Sequence, residues 1–137
     1  MFEPRGAYTF GHRLHEGSGT KMQFHFVDEM KMPVAIQTWE IEPGGYEGMH
    51  AHESHELALE EFYLVLAGSA SMHVGDTVHE LSIGDSVLAP AGIQHDLRNT
   101  GDELLRVLVV WGEAGEKNFS RFGSVGKARA ARASSVL

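Results

Sequence analysis

The stretch "GDSVLAPAGIQHDLRN", Gly84 to Asn99, sets two glycines and a proline around a single histidine. Gly84 and Gly92 permit tight backbone turns, and Pro90 fixes one of them. Those turns return the chain so that His95 can approach a neighbouring strand. Asn99 is placed to tie down the next turn through side-chain to backbone bonds. What else points at His95 decides what this frame is for.

Upstream, "GMHAHESHELALEEFYLVLAG" runs from Gly48 to Gly68 and crowds histidines and glutamates ahead of an apolar run. Side chains at i and i+2 of a strand share a face, so His50 and His52 can aim two imidazoles inward together. Glu61 opens the following strand, with Tyr63 and Val65 as its inward companions. Imidazole with a carboxylate suits Zn, Fe, Ni, Cu and Mn.

The rest of the chain reads as all-β. Residues 22–28, 34–43, 61–68, 69–74, 77–82, 86–90, 93–99 and 103–112 are predicted strands, rich in β-branched and aromatic residues and separated by Gly, Pro and Asp turns. Gly75-Asp76 predicts a hairpin turn. Short strands at this spacing indicate a sandwich or barrel. Residues 53–61 read either as about two helical turns or as a loop, and 113–119 is a weaker helical candidate.

At 137 residues the chain is one domain. Residues 1–122 are assigned to the β-domain with N-terminal extension strands. Residues 123–137, with Lys127, Arg129 and Arg132 and no acid, are read as a basic tail, mobile or docked on a partner.

Charge sharpens the picture. The net charge is −8, and no Lys or Arg occurs between Lys31 and Arg98. That argues against nucleic acid as a partner. A bound cation would balance the acidic middle; the plainer alternative is a solvated acidic surface. No apolar stretch is long enough for a membrane helix. The absence of cysteine excludes disulfides and thiolate sites. With no signal-like N-terminus, a cytoplasmic location is expected.

Taken together, Gly44, five residues, His50-Ala51-His52, Glu61, six residues and Gly68 form one motif. Gly84, five residues, Pro90-Ala91-Gly92, two residues, His95, three residues and Asn99 form a second. The pair resembles the signature motifs of the cupin superfamily. The eight residues between His52 and Glu61 exceed that family's usual spacer. The resemblance implies a cupin-type jelly-roll β-barrel and one divalent transition metal ion (Fe, Mn, Zn or Ni) held by His50, His52, Glu61 and His95. Glu61 could instead stand beside a three-histidine site as an acid/base group.

Glu61 and Tyr63 are the candidate catalytic residues. His55, in the long spacer, is read as a ligand, a lid residue or a solvated position, and Glu56 and Glu60 as solvated charges. His12, His15, His25, His73 and His79 are read as surface or core-edge residues. Tyr46, Tyr63, Trp39, Gln37, Met49 and Gln94 could line a pocket, with core packing favoured for the aromatics and Met49.

The missing cations disfavour 2-oxoglutarate and phosphorylated substrates; Arg98 should face away, and Arg106 could face in. A small neutral or metal-chelating substrate fits better. Oxygenation of an enol, phenol or diketone is favoured over zinc-type cyclisation, isomerisation or lysis of a polyketide-like or sugar-like substrate. A non-catalytic ligand-binding protein is the competing class. The resemblance also implies a homodimer, with an edge strand near residues 7–10 or 22–28 available for pairing.

Overall fold

The computed structural model describes residues 1–52 and 57–134. Among these residues nine strands and one helix follow in order: β1 (Phe10–Arg13), β2 (Gly19–Phe24), β3 (Val34–Ile41), β4 (Leu59–Ala67), β5 (Ala70–Val74), β6 (Thr77–Leu81), β7 (Ser86–Ala89), β8 (His95–Arg98), β9 (Leu105–Glu113) and α1 (Gly123–Ser134). A six-stranded sheet has the order β1-β2-β3-β9-β4-β7, and a three-stranded sheet the order β6-β5-β8. Their pairings are antiparallel. This is the expected jelly-roll arrangement of two antiparallel sheets.

Alternation along the strands builds the core between the sheets. Glu61, Tyr63 and Val65 of β4 are buried while their neighbours are partly exposed, and Leu105, Val107 and Val109 do the same on β9. Met72 of β5 and Leu97 of β8 close the core from the small sheet. Trp39 and Tyr63 meet edge to face, with ring centroids 6.0 Å apart, a contact worth about 1 kcal/mol beyond area burial. Asn99 is buried and ties its turn as expected. It donates to the Ile41 and Glu103 carbonyls at 2.9 and 2.8 Å and accepts from the Gly101 amide.

Several local expectations need correction. The strand read at 22–28 is β2, which ends at Phe24. The chain then turns through residues 25–29, and Phe26 has a φ of 47°. β2 is also no edge: it lies between β1 and β3, so β1 and β7 are the edges of the large sheet. Residues 113–119 form no helix. The helical option for 53–61 fails at its C-terminal end, where residues 59–61 belong to β4. Glu60 is therefore a partly buried strand residue, because it pairs with Gly112 of β9. The helix lies instead in the tail, where residues 127–133 of α1 consist of alanine, lysine and arginine, all strong helix formers; α1 buries no residue. Arg106 falls on the face of β9 opposite the core residues, because strand alternation sets it out of phase with Leu105 and Val107.

Candidate metal centre

Two isolated bridges carry the small sheet one segment further, pairing Tyr46 with Arg98 and His50 with His95. The His50 amide donates to the His95 carbonyl at 3.1 Å, and the His95 amide donates back at 2.8 Å. His50 and His95 thus sit side by side, with ring centroids 4.1 Å apart. These bridges and the Glu47 amide bond to the Leu97 carbonyl, rather than a regular strand, organise residues 46–50. His52 still joins the pair, its ring centroid 4.8 Å from that of His50. β4 supplies Glu61 from the facing sheet.

The Nε2 atoms converge on one carboxylate oxygen. Glu61 Oε2 lies 3.4 Å from His50 Nε2, 3.3 Å from His52 Nε2 and 2.5 Å from His95 Nε2. One donor atom from each of His50, His52, Glu61 and His95 lies within 4.8 Å of the others, a set that could hold a metal ion. Metal bonds of ~2.1 Å place neighbouring ligand atoms about 3 Å apart, close to the two longer separations.

Two further observations fit an ion. His50 Nε2 and His52 Nε2 are buried without a hydrogen-bond partner, which is costly unless something coordinates them. The tautomers are also prepared. His50 Nδ1 lies 2.8 Å from the Gly48 carbonyl and His95 Nδ1 lies 2.9 Å from the Ile93 carbonyl, each two residues back. A carbonyl only accepts, so Nδ1 carries the proton and Nε2 is left to face the centre.

Behind the donors lies a second carboxyl. Glu47 is 0% exposed. The Tyr63 hydroxyl sits between Glu47 Oε1 at 2.8 Å and Glu61 Oε2 at 2.7 Å, and the Leu97 amide donates to Glu47 Oε2. Burial, and then the charge of Glu61, push the Glu47 carboxyl well up. Burial also pushes Glu61 up, but His50, His95 and the Tyr63 hydroxyl outweigh it and hold Glu61 far below the usual carboxylate range. Burial, then the two carboxyls, raise Tyr63. One hydroxyl proton cannot serve two carboxylates. Neutral Glu47 and ionised Glu61 satisfy all three groups.

Beside the donors opens a cavity of about 270 Å³, walled by Phe10, Leu14, Trp39, Leu59 and Trp111 and reaching His15, His52, Glu47 and Glu61. Gln37 also lines it. No lysine or arginine does so among the described residues. Arg98 turns away as expected, its Nε 2.6 Å from Asp96 Oδ2 and its guanidinium over the Tyr46 ring. Of the pocket candidates, Gln37 and Trp39 line the cavity, whereas Tyr46, Met49, Tyr63 and Gln94 do not.

Residues 37–111, more than half the chain, match the family model described as "Cupin domain". The chain belongs to the cupin family. Among solved cupin-like structures, a predicted oxalate decarboxylase from Thermotoga maritima aligns with 82% of this chain and 100% of its own, at TM-score 0.71 and 23% identity. A cupin 2 conserved barrel protein from Rhodopseudomonas palustris aligns with 93% of this chain and 89% of its own, at TM-score 0.66 and 21% identity. These likenesses concern the fold. Protein SchB of Streptomyces halstedii is 34% identical over 68 residues, 50% of this chain and 46% of SchB. The cupin chain therefore spans about half the length of that relative.

Sequence reasoning missed two residues of this cupin site, Glu47 and His15. Glu47 looks like one more surface acid until Tyr63 and Leu97 enclose it. His15 stacks on His50, with centroids 3.4 Å apart and planes at 19°. His15, Glu47 and His50 form a second set able to hold an ion. The one hint was glycine. A Cβ on Gly17 would lie 2.2 Å from the Glu47 carbonyl oxygen, and one on Gly48 would meet the Gly17 nitrogen at 2.9 Å. Gly48 also has a φ of 106°. These glycines let the two loops touch, and His15 takes a φ of 44° to lie over His50. His25 is no ligand; its Nε2 contacts Thr38 Oγ1 at 3.0 Å. His55 and Glu56 lie outside the described residues.

Burial, then the His50 ring, lower the His15 pKa from 6.5 to about 4. The folded value lies below the unfolded one, so the fold favours the neutral ring. Its contribution to stability is full above pH 6.5 and is lost as the pH falls towards 4. In metal-free protein, NMR of the His15 ring should show a midpoint near 4; a midpoint near 6.5 contradicts the stacked arrangement.

Proposed function

We propose that this cupin is a metal-dependent enzyme that oxygenates a small, uncharged aromatic phenol, enol or diketone. The observation that carries the reading is the convergence of His50, His52 and His95 Nε2 on Glu61 Oε2 at the wall of an aromatic cavity without lysine or arginine. Four protein donors leave open positions on a six-coordinate ion. A redox-active ion bound there supplies oxygen activation beside a chelated substrate.

The chain's own residues do the rest. The Gly48 and Ile93 carbonyls orient two ligand rings. Tyr63 holds the Glu61 carboxylate in place. Trp39, Trp111 and Phe10 offer flat apolar surface and keep water from the bound ring. The ionised Glu61 and the lack of lysine or arginine in the described lining disfavour a dianion such as oxalate.

Protein loaded anaerobically with Fe(II) and then given air is expected to consume oxygen with naphthols or 1,3-diketones, and the zinc-loaded protein is expected not to. Absence of oxygen uptake, combined with conversion by the zinc form, overturns oxygenation in favour of cyclisation or isomerisation. His95 is raised above 6.5 despite its burial, because Glu61 accepts its hydrogen bond. Metal uptake therefore competes with a proton. Titration calorimetry in buffers of different ionisation enthalpy should show proton release, with affinity falling as the pH falls.

A further inference from the structure

We propose that Gln37 is the specificity-determining residue of the cavity: its side-chain amide donates to a carbonyl oxygen on the substrate, distinct from the oxygen held at the metal centre. The position of that second oxygen rests on the metal-centre reading; the donor itself rests on Gln37 alone.

Gln37 Oε1 lies 2.9 Å from Trp39 Nε1 and 3.2 Å from Trp111 Nε1. An indole nitrogen only donates. The atom between two indoles must therefore be the amide oxygen, and both of its lone pairs are used. The usual ambiguity between amide oxygen and nitrogen does not arise. Nε2 and its two N–H groups are turned away from the indoles, and among the described residues nothing accepts them. Gln37 lines the cavity, and with its oxygen committed to the two indoles the amide nitrogen is the polar atom it has left to offer a ligand.

Three strand positions build this clamp. Gln37 and Trp39 share a face of β3, and Trp111 comes from β9, whose register places it opposite Ala35. The amide is held before any ligand arrives, so little ordering cost falls on binding. A ligand that fills the cavity without an acceptor strips water from two donors and leaves them unmet, a penalty of ~1–3 kcal/mol in general. A ligand with a carbonyl at that point avoids it. The cavity of about 270 Å³ sits just below the ~300 Å³ at which drug-sized sites begin, which suits a bicyclic ring. The substrate class is thus a neutral bicyclic aromatic with one metal-binding hydroxyl and one remote ketone or quinone carbonyl.

The probes are 5-hydroxy-1-tetralone and the same bicyclic phenol without the ketone, titrated by calorimetry into the full chain with and without zinc. Wild type is expected to bind the ketone roughly tenfold more tightly than its carbonyl-free partner. Gln37→Glu keeps an acceptor for both indoles and loses the donors; it is expected to bind the two probes equally, within about twofold. Gln37→Leu repeats the loss of preference without adding charge, and near-ultraviolet circular dichroism checks that each variant keeps its packing. A ketone that binds wild type no better than its partner, or not measurably, overturns the proposal, as does a preference retained in Gln37→Glu. A Gln37-dependent preference that is unchanged when zinc is withheld supports Gln37 and counts against the metal-centre reading.

Discussion

Replacing His95 with alanine is expected to empty the metal centre. Bound zinc or iron should fall from about one ion per chain to under ~0.1, measured by elemental analysis after titration and desalting. His95 is 1% exposed, sits 2.5 Å from Glu61 Oε2 and is oriented by the Ile93 carbonyl. Losing a group that merely orients a ligand costs ~10–100-fold in metal affinity; losing the ligand itself costs at least as much. The control is His79→Ala on exposed β6, which should keep its ion. An ion retained by His95→Ala but lost in His15→Ala would place the metal in the alternative set of His15, Glu47 and His50.

Replacing Tyr63 with phenylalanine is expected to lower stability by about 2–3 kcal/mol while leaving the metal content near wild type. Tyr63 is 0% exposed, and its hydroxyl is the link between Glu47 and Glu61. Phenylalanine fills the same volume, so no cavity forms, but two buried carboxyl groups each lose a partner. For a domain of this size, that is roughly 6–10 °C in Tm. Thermal unfolding of the metal-free protein reads the change directly. A Tm within about 2 °C of wild type would show that water replaces the hydroxyl without loss. Loss of the ion instead would mean that Tyr63 is needed to hold Glu61 in ligating position.

How legible was this site beforehand? Period-two alternation marked Glu61, Tyr63 and Val65 as one face, and β4 places them so. The spacing of His50, His52 and His95 among glycines and Pro90 marked three imidazoles that could meet, and they do meet. Those signals are local, because strand geometry and turn chemistry act over a few residues. The α1 helix escaped notice because its alanine and basic residues carry no apolar stripe, which is the usual sign of a packed helix.

Everything else about the site depends on contacts between distant segments. His15 reaches His50 because Gly17 and Gly48 let two loops approach. Glu47 becomes a buried neutral partner because Tyr63 and the Leu97 amide enclose it. Gln37 becomes a fixed donor because indoles from β3 and β9, 74 residues from Gln37 in the second case, seize its oxygen. By itself, then, the sequence determined the all-β class, most of the strands in their succession along the chain, the four candidate donors His50, His52, Glu61 and His95, and the cation-poor middle of the chain. Only the tertiary structure decided which acid is buried, which histidine covers the centre and which amide faces the cavity. The physical reason is that burial and hydrogen-bond pairing are properties of the assembled sheets, and no single stretch of chain carries them.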